Sequence, residues 1–299
     1  MRIKRAIRAA SLVAAPLLAT CGAVLASGTA RAQDNPEWTQ PHDPFAILGP
    51  VHYVGTRGIA VYLIETSDGL ILIDSGPEAA APIVERNIAA LGFSPRDVKI
   101  ILTTHAHVDH VAGIAALKQA TGARLLVSAG DHGAMETGVP PSDTDYGVWK
   151  FTPAKVDGLV EDGVPVRLGD TALVPVLTPG HTPGCTSWSM QVDGKAAGIS
   201  RPLRVFFPCS LTVAGNKLAG NRGYPGIVGD FRKSLDRLRA MEAEVVLPAH
   251  PEFGKVIERA RRRDAGDKTA FIAPQLLPEL VASSQAAFDK ALATAERAP

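Results

Sequence analysis

The sequence predicts an α/β protein of two similar halves, packed sheet on sheet with helices outside. Three observations predict it. Short apolar, β-branched runs and helical stretches follow one another in the order strands, helices, strands, helices. Histidines and acids stand at strand ends in both halves, where a layered scaffold commonly presents functional groups. The stretch Thr103-Thr104-His105-Ala106-His107-Val108-Asp109-His110 places four potential metal ligands within six residues, between a strand and a helix.

The N-terminus stands apart from this pattern. Met1-Arg2-Ile3-Lys4-Arg5 and Arg8 make a basic start, Ser11 to Ala26 is apolar, and Ala30-Arg31-Ala32 offers a small-x-small cleavage site. This is the pattern of a secretory signal peptide over residues 1–32. The apolar run is short for a membrane anchor. Leu18-Ala19-Thr20-Cys21 resembles a lipoprotein processing site, but Thr beside the Cys fits it poorly. Export to the periplasm is expected, with no membrane span in the mature chain. Residues 33–299 hold no internal repeat or low-complexity linker and read as one domain. A net charge of +1 gives no polyelectrolyte signal, so neither nucleic acid nor a membrane surface is implied as a partner. Cys185 and Cys209 remain after cleavage. An exported protein can pair them if their Cα atoms lie within about 7 Å, although a chain of this length buries a core without that help.

Residues 33–45 carry Pro36, Trp38, Pro41 and Pro44 and read as an extended arm, in which Trp38 either covers a pocket or packs on the core. Strand-like runs follow at Ala46–Leu48, Val51–Val54, Ile59–Ile64 and Leu70–Ile73, punctuated by Gly49-Pro50, Arg57-Gly58 and Asp68-Gly69. This is an antiparallel meander, and His52 within it reads as structural. Asp74 ends it, either capping a turn or supporting the ligand loop. Pro82–Leu91 predicts a helix stopped by Gly92, then Val98–Leu102 the ligand strand. Val111, Ile114, Ala115 and Leu117 predict a helix up to Gly122. Arg124–Ser128 is a further strand and Ala129–Glu136 a short helix, on which His132 reads as a surface residue. Gly138–Thr152, rich in Pro, Asp and Gly, reads as a loop and a candidate pocket wall. Strands resume at Val164–Arg167, Thr171–Leu177, Thr186–Val192 and Leu203–Phe207. Asp230–Met241 predicts a helix with Phe231, Leu235 and Leu238 on one face. Glu244–Pro251 is strand then loop, Arg259–Arg263 a solvated helix face, and Pro278–Arg297 a final helix.

Three neutral imidazoles and a carboxylate form a donor set that suits zinc better than a redox iron, and they crowd too tightly for a structural zinc finger. His105 and His107, two apart in an extended segment, can point the same way, while Asp109 and His110 follow the turn of the chain. That geometry serves two metal ions as well as one. Thr178-Pro179-Gly180-His181-Thr182-Pro183-Gly184 braces one histidine at a loop tip after a strand, and Pro248-Ala249-His250 repeats the arrangement. Both histidines are candidate ligands.

Together, His105-x-His107-x-Asp109-His110, the His181 loop, Pro248-Ala249-His250 and Asp74 in Leu72-Ile73-Asp74-Ser75-Gly76 resemble the motifs of the metallo-β-lactamase superfamily. The resemblance covers essentially the whole mature chain. Tyr53-Val54-Gly55-Thr56-Arg57-Gly58, Asn87-Ile88-x-x-Leu91-Gly92-Phe93 and Gly180-His181-Thr182-Pro183-Gly184-x-Thr186-Ser187-Trp188 resemble the third subclass of class B β-lactamases most. What this implies is a four-layer αββα sandwich with two zinc ions at one edge of the sheets. His105, His107 and His181 would hold the first zinc and Asp109, His110 and His250 the second. Asp109 would also orient a zinc-bound hydroxide as nucleophile, and Ser210 and Thr212 would bind the substrate carboxylate. The implied activity is hydrolysis of the β-lactam amide of penicillins, cephalosporins and carbapenems by a monomer. Other hydrolases of the superfamily act on thioesters, lactones or phosphate esters, and a non-catalytic zinc-binding protein is the reading from a different class. Two departures stand out. Cys209 replaces the usual Asp before Ser210-Leu211-Thr212, as either an inert thiol or a group near enough to perturb or join the second site. The subclass's late disulfide is absent, with Ala243 and Ala273 about where its cysteines would be.

Overall fold

The computed structural model describes residues 35–140 and 142–297. The signal-peptide reading of residues 1–32 lies outside the described residues. The first sheet has seven strands in sequence order: β1 (Phe45–Leu48), β2 (Val51–Tyr53), β3 (Tyr62–Thr66), β4 (Gly69–Ile73), β5 (Val98–Leu102), β6 (Arg124–Ser128) and β7 (Gly158–Val160). The pairs from β1 to β4 are antiparallel and those from β4 to β7 parallel. Crossovers carry α1 (Ala81–Ala90), α2 (Val108–Val111), α3 (Ile114–Thr121) and α4 (Ala129–Thr137). The second sheet repeats the scheme with β8 (Val166–Leu168), β9 (Thr171–Leu177), β10 (Thr186–Asp193) and β11 (Pro202–Phe207) antiparallel, then β12 (Val245–Val246) parallel to β11. Helix α5 (Ile227–Arg239) precedes β12, and α6 (Val256–Asp264) and α7 (Leu276–Ala295) follow it. The predicted α/β architecture of two β/α halves is the observed one.

The period-2 alternation of the strands divides the core into layers. On β4, Ile71 and Ile73 face the second sheet, while Leu70 and Leu72 pack with Val84 and Ile88 of α1 and Leu117 of α3. On β11, Leu203, Val205 and Phe207 join that inter-sheet core, while Phe206 faces Phe231, Leu235 and Leu238 of α5 and Phe288 of α7. β4 and β11 are therefore apolar on both faces, as a sheet covered on each side requires, whereas β10 sets Trp188, Met190 and Val192 in the inter-sheet core and Ser187, Ser189 and Gln191 on its other face.

Some local expectations are corrected. Ile59–Val61 are not strand. The Thr56 amide donates to the Ile59 carbonyl in a tight turn, and the Ala60 amide donates to Ala249 at 2.9 Å. The run Arg259–Arg263 does lie on a helix, α6, but two members are not solvated: Arg259 donates to the Gly254 and Ala270 carbonyls, and Arg263 lies 5.6 Å over the Phe45 ring. Cys209 is neither a free thiol nor a metal ligand. It is disulfide-bonded to Cys185, with Cα atoms 5.8 Å apart. Ala243 and Ala273 are both buried in the layer under α5 and α7, so packing fills the place of the absent bridge. Among the described residues no helix is long and apolar enough to cross a membrane.

The Cys185–Cys209 bridge closes a loop of 24 residues. Cys185→Ala with Cys209→Ala is expected to lower unfolding free energy by about 2–4 kcal/mol, read as an earlier midpoint in a denaturant titration. An unchanged midpoint would show that the bridge adds nothing to packing already in place.

Candidate metal centre and active site

The site is built from loops that leave both sheets at the same edge. After β5 the chain runs extended through Thr103–His107, then turns into α2, which carries Asp109 and His110. His181 sits in the loop between β9 and β10, and His250 follows β12. Ligand atoms of His105, His107 and His181 lie within 4.8 Å of one another, and so do those of His105, Asp109 and His110. His250 joins the second group, its Nε2 being 3.1 Å from His110 Nε2 and 3.4 Å from Asp109 Oδ2. All six residues predicted as ligands thus converge, in two overlapping clusters.

Hydrogen bonds set the orientation of the imidazoles. Asp74 accepts from the Thr104 amide and from its hydroxyl, both at 2.6 Å. The same hydroxyl accepts from His105 Nδ1 at 3.0 Å, which leaves His105 Nε2 unprotonated and facing the cluster. His181 Nδ1 donates to the Thr212 carbonyl at 2.7 Å and is turned the same way. Asp74 holds this post with φ at +64°, a costly backbone conformation for a residue with a side chain. It supports the ligand loop rather than merely capping a turn. Cross-sheet bonds brace the edge: the Thr186 amide donates to Thr104, Trp188 Nε1 to Thr103, and the Tyr62 hydroxyl to Pro248, at 2.8, 3.0 and 2.8 Å.

The electrostatics separate the two clusters. Burial pushes His107 down to about 4 against the pull of Asp109, and burial with neighbouring imidazoles holds His105 and His181 well below the usual range. These three are neutral ligands at pH 7. Burial would lower His110 too, but Asp109 and Asp74 outweigh it and raise it to about 10. Burial opposes ionisation of Asp109, yet His110 and His250 hold it well below the ordinary carboxylate range. Two imidazole nitrogens 3.1 Å apart, each within 3.4 Å of one carboxylate oxygen, form a donor set that one cation satisfies together. The residues present fit a pair of metal ions.

A cavity of about 500 Å³ opens over these ligands. Ser210 and Thr212 line it, their hydroxyl oxygens 3.0 Å apart. The loop predicted as a wall is one: Tyr146 and Trp149 pack there with tilted rings, centroids 4.4 Å apart. Trp38 closes another side, 6.0 Å from the His250 ring. His52 is half-buried and does not line the cavity, edge-on to Phe93, and His132 is exposed on α4.

One residue carries more than the sequence signalled. Asp131, in the first turn of α4, is buried and accepts three hydrogen bonds at 2.9 Å each, from the Ala106 amide, the Thr182 hydroxyl and the Gly184 amide. Ala106 lies between His105 and His107, and Thr182 adjoins His181. One carboxylate therefore sets the spacing of the two loops that supply the three-histidine cluster. Gly184 is required here, because a Cβ would stand 2.3 Å from the Asp131 amide nitrogen. Burial lifts the Asp131 carboxyl to about 6, with the three donors holding it against a larger rise. In the sequence Asp131 is an acid at a helix start, where capping is the ordinary role, and nothing local marks the long-range bonds.

The model of the metallo-β-lactamase superfamily matches residues 54–194. The subclass B3 metallo-β-lactamase BJP-1 of Bradyrhizobium japonicum is 41% identical, with a TM-score of 0.82 over 87% of this chain and 97% of that one. This chain belongs to the metallo-β-lactamase superfamily. FEZ-1, a metallo-β-lactamase of Legionella gormanii, is 33% identical, with a TM-score of 0.81 over 87% of this chain and 98% of that one. Among curated relatives, a hydroxyacylglutathione hydrolase of Cereibacter sphaeroides is 32% identical over 60% of this chain and 59% of its own length. An N-acyl homoserine lactonase of Agrobacterium fabrum is 29% identical over 51% of this chain and 56% of its own. The chain thus spans less than two thirds of these curated relatives.

Removing the Asp131 strut by Asp131→Ala is expected to weaken metal binding at the three-histidine cluster by roughly 10–100-fold, read by competition with a chromophoric chelator. Fold retention is checked by circular dichroism. Equal affinity in a folded variant would show that the loops hold their spacing without it. A protonated His110 must lose its proton to bind a metal, so affinity at the second cluster should rise about tenfold per pH unit from pH 6.5 towards 10. A pH-resolved zinc titration reads the slope, and an affinity flat across that range would show that His110 is already neutral.

Proposed function

We propose that this protein is an exported, zinc-dependent β-lactamase that opens the ring amide of penicillins, cephalosporins and carbapenems. The observation that carries the reading is the Ser210–Thr212 hydroxyl pair on the cavity floor beside His181. It offers a substrate carboxylate a neutral hydroxyl pair beside the ligand cluster, with Thr212 Oγ1 3.4 Å from His181 Nδ1. The match to subclass B3 enzymes along nearly their whole length supports it. So does the disulfide, which suits an oxidising compartment such as the periplasm.

Two zinc ions, held by His105, His107 and His181 and by Asp109, His110 and His250, would supply Lewis acidity and an activated water. The chain's own residues do the rest. Ser210 and Thr212 fix the carboxylate and so place the scissile amide over the ligand cluster, a proximity effect. Asp109, ionised and facing both His110 and His250, orients the attacking water by accepting its hydrogen. Tyr146, Trp149 and Trp38 cover the cavity and limit competing water.

The competing reading is a thioester or lactone hydrolase, favoured by the curated relatives that carry those names. The decisive experiment offers purified mature protein a penicillin, a cephalosporin, a carbapenem, an S-acyl glutathione and an acyl homoserine lactone, each with and without a chelator. Chelator-sensitive turnover confined to the β-lactams supports the proposal, and turnover of only the thioester or the lactone overturns it. Ser210→Ala with Thr212→Ala should then raise KM for β-lactams roughly tenfold, with kcat less affected.

A further inference from the structure

The wall of the cavity is fastened to the ligand loop by a buried polar chain. Asn221 Nδ2 donates to the Ser142 hydroxyl at 3.0 Å, that hydroxyl donates to Asn216 Oδ1, and Asn216 Nδ2 donates to the His181 carbonyl at 3.1 Å. All three side chains are buried. Ser142 opens the loop that carries Tyr146 and Trp149, and His181 is a candidate ligand. The second hydrogen of the Asn216 amide goes to the Val213 carbonyl at 2.8 Å. Both hydrogens therefore meet carbonyls and the oxygen meets a hydroxyl, which fixes the orientation of the amide. Val213 follows Thr212, so the same amide also holds the segment that carries Ser210 and Thr212. That segment is strained, with φ at +46° for Ala214 and +72° for Gly215 in succession. A residue with a side chain keeps such a backbone only where its surroundings fix it. The wall presses on the same place: a Cβ on Gly215 would stand 2.9 Å from the Tyr146 ring, and the Asp145 amide donates to the Gly215 carbonyl at 2.9 Å.

We propose that Asn216 is a positioning residue that couples the aromatic wall to the three-histidine cluster, so that metal binding there and closure of the wall over the cavity favour each other. The inference rests on metal binding at that cluster, which is part of the proposed reading, and not on which bond is cleaved. The link is short. One planar amide touches the main chain of His181 on one side and Ser142 on the other. The His181 ring is tied to the same segment through the Thr212 carbonyl. When the ring is fixed by a metal, the His181 carbonyl is fixed with it, and so is the amide that receives Ser142. Away from water, a chain of hydrogen bonds is worth more than its members taken singly, and a broken member leaves a buried polar group without a partner. The wall opens by breaking this chain, at greater cost when the cluster is filled. Coupling of this kind is reciprocal, so the wall stabilises the metal by the factor that the metal stabilises the wall.

Lys150, exposed in the wall loop, supplies the readout. Limited trypsin digestion of the mature enzyme compares cleavage after Lys150 with cleavage after Lys195, which is exposed in the turn between β10 and β11. A change in overall stability moves both sites, whereas a local opening of the wall moves only the first. Zinc should slow cleavage after Lys150 roughly tenfold relative to Lys195. Asn216→Ala should remove that selective protection and weaken binding of the first zinc equivalent by the same factor, read by competition with a chromophoric chelator. Ser142→Ala, which touches no candidate ligand, should do both and serves if Asn216→Ala folds poorly. Thr294→Ala, at the end of α7, should change neither. A cleavage ratio that zinc leaves unaltered in the unmodified enzyme overturns the coupling. So does selective protection or zinc affinity that persists unchanged in folded Ser142→Ala, and either result leaves the zinc-dependent reading standing. An unmodified enzyme that takes up no zinc overturns both.

Discussion

The structure depends on holding five imidazoles and an ionised carboxylate almost dry at one edge of the sheet pair. Burial of polar groups costs free energy unless each finds a partner, and like-charged or neutral imidazoles packed side by side give no cohesion of their own. Asp74, Asp131 and the carbonyl of Thr212 supply that cohesion from behind. They satisfy the nitrogens and amides facing the protein and leave those facing the cavity available. The cross-sheet bonds from Thr186, Trp188 and Tyr62 then tie the edge to the inter-sheet core, so the ligand spacing is inherited from a packed interior with little freedom to adjust.

Legibility in the sequence followed the range of the interactions. Strands β5, β6 and β9 could be bounded to the residue, because each is a short run dominated by aliphatic residues and set off by polar or turn-forming ones. The candidate ligands could be picked out as residues that converge because each histidine stands at the end of a braced strand on the same edge. Ile59–Val61 misled because β-branched residues fit a strand equally well wherever their amides bond, and here they bond to another loop. β7, with Gly158 and an exposed Leu159, carried no pattern at all. Asp131 was invisible for a third reason. Its partners lie 25 to 53 residues away, and no local composition records a bond of that span.

The cysteines show how a departure from a family pattern can be read too locally. Taken alone, Cys209 in place of an acid beside the Ser210 and Thr212 hydroxyls raises the question of what it does to a metal. Its partner, Cys185, stands four residues after His181. The bridge therefore links the loop that presents a candidate ligand to the loop that presents Ser210 and Thr212. Cys185 Sγ also lies 3.5 Å from the Ser210 carbonyl and Cys209 Sγ 3.2 Å from that of Thr104. The substitution belongs to the bracing of the site, and the buried pair Ala243 and Ala273 belongs to a region where packing alone suffices.

Fold and metals do not select a substrate, and on the proposed reading the selecting groups lie late in the chain. The superfamily match ends at residue 194, and within it lie His105, His107, Asp109, His110 and His181. Ser210, Thr212 and Phe253 lie beyond it. The stretch matched by the superfamily model holds most of the candidate ligands, and the stretch that follows holds the hydroxyls that, on the proposed reading, bind a carboxylate. The two are joined at Thr212, whose carbonyl orients His181 while its hydroxyl faces the cavity. A change in that segment would therefore be felt in substrate choice and in ligand geometry together. This is a physical reason for such a segment to be pinned on one side by a disulfide and on the other by the Asn216 amide.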